Sequence, residues 1–111
     1  MPIERGEVYW VKFDPSVGGE IQKTRPAIVL SNNLANSVLN RVQVVPITSN
    51  TERLYPGEAF VSLNTEKRKA MADQLTTVSK LRLGGRVGAL SEEDIGRVEV
   101  AVLLQLGIDC S

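Results

Sequence analysis

Apolar and polar positions alternate through "EVYWVKF" (7–13), with Tyr9, Val11 and Phe13 on one side and Val8 and Trp10 on the other. That period of two predicts a β-strand. Trp10 and Phe13 are expected in the core. The run "PAIVLS" (26–31) is apolar almost throughout and suits a strand buried on both faces. A third strand is predicted over "VQVVPIT" (42–48), where Pro46 implies a sheet edge or a bulge. "EAFVSL" and "AMADQLTTVS" continue the pattern, with "YPGE" as a turn before the first. Between the first two strands, "DPSVGGEIQKTR" is too long for a tight hairpin and rich in turn formers, which marks a functional or mobile loop. Short strands with frequent turn signals predict a small sheet or barrel.

The pattern changes period near the C-terminus. Ser91 precedes Glu92, Glu93 and Asp94, an N-cap with acids in the first turn, where they meet the positive end of the helix dipole. Ile95, Val98, Val102 and Leu106 then recur at helical spacing, and Gly107 is a natural stop. The run Val100–Leu104 is apolar on more than one face. A helix that both covers the sheet and meets a second copy of the chain is expected.

Composition narrows the class. The chain has 111 residues, enough for one domain spanning 1–111 with a real core, and its 42% apolar and 23% charged content is ordinary for a globular protein. No apolar run approaches the ~20 residues of a membrane helix. The opening "MPIERGEVYW" contains acids and no apolar block, so a signal peptide is not expected. The single cysteine, Cys110, cannot form an internal disulfide, and a reducing cytoplasm is the expected location. There is no histidine. Acid–base chemistry must therefore use carboxylates, hydroxyls, Lys, Arg or groups of the substrate, and a zinc site of the Cys/His kind is excluded. No Gly-rich phosphate loop and no repeat occurs, and neither a cofactor nor a metal is expected.

The zero net charge conceals a partition. Residues 1–90 carry 12 Lys/Arg and 8 Asp/Glu, a balance of +4, whereas residues 91–111 carry Arg97 against five acids, a balance of −4. The basic body is compatible with a polyanion, though its field is weak beside that of a dedicated nucleic-acid binder.

One hinge in the chain stands out. In "GGEIQKTRPAIVLS" (18–31) a glycine-rich polar loop turns apolar at Arg25–Pro26. Proline keeps the residue before it out of the helical region, so Arg25 has an extended, restricted backbone. A guanidinium on such a base matches phosphate oxygens in pairs. The alternative is a surface arginine that caps the strand, paired with Glu20. If strand 26–31 pairs antiparallel with strand 42–48, the start of one lies beside the end of the other, and Arg25 and Thr48 become neighbours.

In order along the chain, "RGEVYWVKFDPSVGGEIQKTRPAIVLSNN", "VVPITSN", "YPGEAFVSL", "ADQLTTVSKLRL" and "VGALSEEDIGRVEVAVLLQLGI" resemble the MazF/PemK-type toxins of bacterial toxin–antitoxin pairs. The resemblance covers nearly the whole chain. It implies an SH3-like β-barrel with a C-terminal α-helix, a homodimer, an acidic antitoxin partner with a disordered tail, and metal-independent, sequence-specific cleavage of single-stranded RNA. Arg25 matches the family's catalytic arginine, Thr48 in "PITS" its catalytic hydroxyl, and Glu20 the glutamate of its mobile loop. Asp73 aligns with a carboxylate used as base in one branch. That branch has an arginine two positions earlier, where this chain has Met71, which moves the assignment to Arg25 with Thr48. Lys23, Ser49, Asn50, Asp73 and Gln74 are expected to touch RNA or to support the site.

The implied chemistry fits these residue types. RNA supplies its own nucleophile, the 2′-hydroxyl, so the protein need only align the reacting atoms and stabilise charge on the phosphorus. The proton acceptor stays open among Glu20, Asp73 and water. Specificity is expected in the loops around 15–24 and 50–57, where Tyr55 is expected to be exposed. A reading from another class is also compatible with the sequence: a non-catalytic module of the same fold that poisons a protein target such as DNA gyrase.

Overall fold

The computed structural model describes residues 2–109; Cys110 lies outside them. Among the described residues, seven strands and two α-helices follow the order β1 (Glu7–Lys12), β2 (Thr24–Val29), α1 (Asn33–Val38), β3 (Arg41–Thr48), β4 (Glu58–Leu63), β5 (Glu66–Met71), β6 (Thr76–Ser79), β7 (Leu83–Ala89) and α2 (Glu92–Leu106), with 3-10 turns at Ala72–Gln74 and Lys80–Arg82. The strands form one antiparallel sheet in the order β4-β5-β3-β2-β1-β7, with β6 also paired to β3. The two end strands approach each other as the sheet curls: Asn64 Nδ2, in the β4–β5 turn, donates to Val87 O of β7 at 3.2 Å. A side chain closes the seam where a ladder would close a full barrel.

β3 organises the sheet because it serves two partners along one edge. Its first half pairs with β6 (Arg41↔Ser79 through Val44↔Thr76), and its end pairs with β5 (Ile47↔Ala70, Thr48↔Lys69). Pro46 is buried inside the sheet, not at an edge as its ring suggests. It sits in the short interval where β3 changes partner, so the missing N–H costs neither ladder a bond.

The central strands are buried on both faces, as their apolar runs require. Val8, Ile28, Val45, Ile47, Val61 and Leu63 pack against Val98 and Ala101 of α2, while Tyr9, Val11, Phe13, Ala27, Val29, Val42, Val44 and Val78 form a second cluster on the opposite face. Each of the Val, Leu, Ile and Phe side chains among these contributes about 1.5–3 kcal/mol on leaving water.

The helix begins as its cap dictates, with Ser91 Oγ accepting from Asp94 N at 3.1 Å, and ends at Gly107 with φ 71°. Of the expected stripe, Ile95, Val98 and Val102 pack on the sheet, but Leu106 is 57% exposed because the last turn projects beyond it. Buried Asp94 takes the place of an apolar residue on the covered face: it accepts from Ser62 N at 2.8 Å and pairs with Arg97 at 2.5 Å. Trp10, expected in the core, is 45% exposed. Its neighbour β7 bulges between Arg86, opposite Tyr9, and Leu83, opposite Val11, so Gly84 and Gly85 stand where cover would be needed.

Candidate active site

The antiparallel pairing of β2 with β3 is present, in the register Ala27↔Pro46, Ile28↔Val45, Val29↔Val44. Continued two places outward, that register sets Arg25 opposite Thr48. β1 and β5 extend the same row, with Val11 opposite Arg25 and Lys69 opposite Thr48. Directly opposed residues share a face. The row Val11–Arg25–Thr48–Lys69 therefore runs on from the second apolar cluster, out to the end of β3.

Arg25 does not pair with Glu20. Its Nε donates to Gln22 O at 3.0 Å, which ties the guanidinium to the preceding loop. Its two terminal nitrogens have no hydrogen bond or ion pair among the described residues. Thr48 Oγ1 accepts from Asn50 N at 3.2 Å, which orients the hydroxyl and leaves its proton available. Asn50 in turn accepts from Glu52 N at 3.2 Å, so the turn after β3 is braced by its own side chains. Ser49 is exposed beside them.

The loop from Asp14 to Lys23 is anchored at its base and waist. Phe13 N donates to Lys23 O at 2.9 Å, Lys23 N donates to Asp14 Oδ1 at 3.0 Å, and Lys23 adopts φ 66° to do so. Arg82 Nη1 donates to the carbonyls of Lys12 and Asp14 at 2.9 and 2.7 Å. Gln74 grips the waist, its Oε1 accepting from Ile21 N and its Nε2 donating to Gly19 O, each at 3.1 Å. Glu20 is exposed and accepts from Val17 N at 2.7 Å. Beneath the loop lies a polar cleft of about 370 Å³, lined by Glu20, Asp73, Gln74, Thr76, Thr77 and Arg82 with Phe13 at its apolar wall.

The anticipated residues thus fall into two groups joined by one loop. Arg25 and Thr48 lie in the row across the ends of the central strands β2 and β3, with Asn50 adjacent in sequence to that end. Glu20, Asp73 and Gln74 line the cleft. Two side chains passed over in the sequence complete the surroundings: Arg82, which fixes the loop's base, and Lys69, which is buried opposite Thr48.

A sequence-family model for PemK-like, MazF-like toxins of type II toxin–antitoxin systems matches residues 4–106. The chain belongs to this family. It is 33% identical over 115 residues to endoribonuclease MazF9 of Mycobacterium tuberculosis, spanning 96% of this chain and 98% of the relative. It is 29% identical over 105 residues to the endoribonuclease toxin MazF of Escherichia coli K12, with 94% of each chain covered. Among solved structures, a MazF from Deinococcus radiodurans superposes with a TM-score of 0.86 at 25% identity, over 97% of this chain and 99% of that one. A mycobacterial endoribonuclease in complex with its cognate antitoxin gives 0.82 at 23% identity, over 98% and 99%. The expected mainly β, SH3-like barrel with a C-terminal helix takes the form of a curled sheet, a half-barrel, with one C-terminal helix, and this is the fold of the family.

Proposed function

We propose that this MazF-like toxin is a sequence-specific endoribonuclease of single-stranded RNA, mRNA included, that works in the cytoplasm as a homodimer and is restrained by an acidic antitoxin. The observation that carries the reading is the β2–β3 register, which, continued to the strand ends, sets Arg25, with its terminal nitrogens unpartnered among the described residues, opposite Thr48 and its oriented hydroxyl, in a chain whose relatives are named endoribonucleases. The +4 balance of residues 1–90 suits both the RNA and an acidic inhibitor, whose tail can fold onto the surface as it binds.

In this reading the ribose 2′-oxygen attacks the adjacent phosphorus and gives up its proton. The bond from phosphorus to the 5′-oxygen breaks, leaving a 2′,3′-cyclic phosphate, and the departing oxygen takes up a proton to become a 5′-hydroxyl. Arg25 holds the non-bridging oxygens as their charge grows, and Thr48 donates to one of them. Glu20, Asp73 or water accepts the first proton. With no histidine and one cysteine, the chain has no Cys/His cluster to hold a zinc ion that would generate the nucleophile.

The test is cleavage of a long single-stranded RNA in excess EDTA, followed by a substrate with 2′-deoxyribose on the 5′ side of one mapped cut. Discrete fragments with 5′-hydroxyl ends and no cut at the modified site are expected. Loss of activity in EDTA indicates a metal nuclease, and a cut at the 2′-deoxy position rules out the internal nucleophile. RNA left intact by a protein that still arrests growth favours a protein target.

A further inference from the structure

Lys69 is one of three buried polar or charged residues among those described, at 5% exposure, and the chemistry above makes no use of it. Its Nζ lies 3.1 Å from Glu58 Oε1 and donates to Arg53 O at 2.8 Å. It also lies 5.6 Å from the centroid of the Tyr55 ring, within cation–π range. Glu58 Oε1 accepts in addition from Tyr55 N at 2.9 Å, and Glu58 N donates to Tyr55 O at 3.1 Å. One ammonium and one carboxylate thus gather the far end of the loop that joins β3 to β4, while the Lys69 backbone is laddered directly opposite Thr48.

A buried ion pair of this kind is a poor way to gain stability. Taking both charges out of water offsets most of their attraction, and an apolar pair of similar size often serves as well or better. What it does supply is a fixed geometry. The chain that leaves Thr48 passes through Asn50, whose N–H holds the Thr48 hydroxyl, and three residues later presents the Arg53 carbonyl to Lys69. A hollow of about 310 Å³ between these points is lined by Asn50, Glu52, Arg53, Tyr55 and Lys69.

We propose that the Lys69–Glu58 pair is a positioning device: it fixes the loop at Arg53 and Tyr55, and through Asn50 it holds the Thr48 hydroxyl in line for the transferring phosphate. The inference rests on the proposed RNA cleavage and adds two positioning residues to it. Neither touches the substrate.

The double variant Lys69→Met/Glu58→Gln removes both charges, leaves no lone buried ion, and retains an acceptor for Tyr55 N. Single-turnover cleavage of a short RNA containing the mapped cut site separates the cleavage rate from binding. The folded double variant is expected to lose about 10- to 100-fold in rate at saturating RNA, as loss of alignment at a reacting centre does, with the half-saturating RNA concentration within about threefold of parental. Lys69→Arg, which keeps the charge and the reach to the carbonyl, is expected to recover most of that rate. If the double variant is unfolded, Lys69→Gln/Glu58→Gln, which also removes both charges but keeps polar groups at both positions, carries the test, with a rate loss in the same direction. A folded variant that cuts at the parental saturating rate overturns the positioning role and leaves the cleavage reading intact. A Lys69→Arg variant no faster than the double variant also overturns it. A parental protein that leaves the RNA whole overturns the cleavage reading, and this proposal with it.

Discussion

Arg25 and Thr48 act in the proposed reaction only where charge builds on phosphorus, so their removal should slow chemistry more than binding. Arg25→Ala and Thr48→Ala are each expected to lower cleavage by about two orders of magnitude or more. Both lie at strand ends outside the two apolar clusters, so circular dichroism and thermal melting should match the parental protein. A folded variant of either kind with near-parental cleavage removes that residue from the mechanism. Glu7 offers a test of a different sort. Burial alone raises the Glu7 carboxyl, but hydrogen bonds from Glu4 N, Arg86 and the Tyr9 hydroxyl outweigh it, and the net direction is downward from 4.5. The ionised form is therefore favoured by folding: its contribution is complete above 4.5 and is lost as pH falls through the lower folded value. Burial, then the hydrogen bond it donates to Glu7, and then that carboxylate's charge push the Tyr9 hydroxyl above its usual 10.0, so its contribution drains as pH rises beyond 10.0. Glu7→Gln should flatten the acid limb. Urea midpoints measured between about pH 5 and about pH 3 should fall less in the variant than in the parental chain. An unchanged acid limb would mean that Glu7 titrates alike in both states. The antiparallel pairing of β2 with β3, on which the proposal for Arg25 and Thr48 rests, was legible in the sequence because two apolar runs fix one register. Lys69 was not. In "EKRKAM" it reads as one more solvated cation, and only the Glu58 carboxylate and the Arg53 carbonyl, both brought in from β4 and its loop, make it a buried one.

At the scale of elements, the strongest local signals are the most exactly placed by physics and the easiest to test. Ser91 accepts from Asp94 N and begins a helix whose first turn carries Glu92, Glu93 and Asp94. Ser91→Ala should cost about 1 kcal/mol of stability by chemical denaturation. Part of the cost should be recovered in Ser91→Asp, whose carboxylate can cap the same amide. A Ser91→Ala variant as stable as the parent would show that Asp94, through Ser62 and Arg97, fixes the helix start unaided. The first three strands, the "YPGE" turn and α2 followed from period, turn chemistry and capping, each of which is a local property. Three elements escaped. β5 is written "EKRKAM", whose charges conceal a strand, and the expected continuous run "AMADQLTTVS" is split by a 3-10 turn at Ala72–Gln74 before β6. β7 is written "LGGRVGA", where glycines depress strand propensity; pairing with β1 across a bulge stabilises it. α1 is six residues long, too short for a hydrophobic stripe, and depends on Asn32 accepting from Ala35 N and on buried Asn36 bonding Ser31. Trp10 belongs with β7, since its exposure is set by two glycines on the neighbouring strand and not by its own alternation.

At the scale of the whole molecule, α2 has two apolar faces and the sheet covers one. Val98 and Ala101 are buried, whereas Val100 and Leu104 are 58% and 62% exposed. Beside them Leu54 and Tyr55, from the loop after β3, are also exposed, and together they wall an open groove of about 810 Å³ between that loop and the helix. Isolated apolar residues on a surface need no partner, whereas neighbouring ones that line one groove suit a contact. The proposed homodimer would bury it, and would also bring the loop carrying Arg53 and Tyr55 under the control of a second chain. Native mass spectrometry at micromolar concentration should then show a dimer. Leu104→Glu, which places a charge in the groove without touching either buried cluster, should shift the population to monomer while the circular dichroism spectrum is retained. The same variant separates two consequences. If RNA cleavage falls with the dimer, each active site needs its partner; if cleavage persists in the monomer, one row of Arg25 and Thr48 suffices. A parental protein that is monomeric throughout would leave the helix's outer face to a different partner and would remove the dimer from the proposed function.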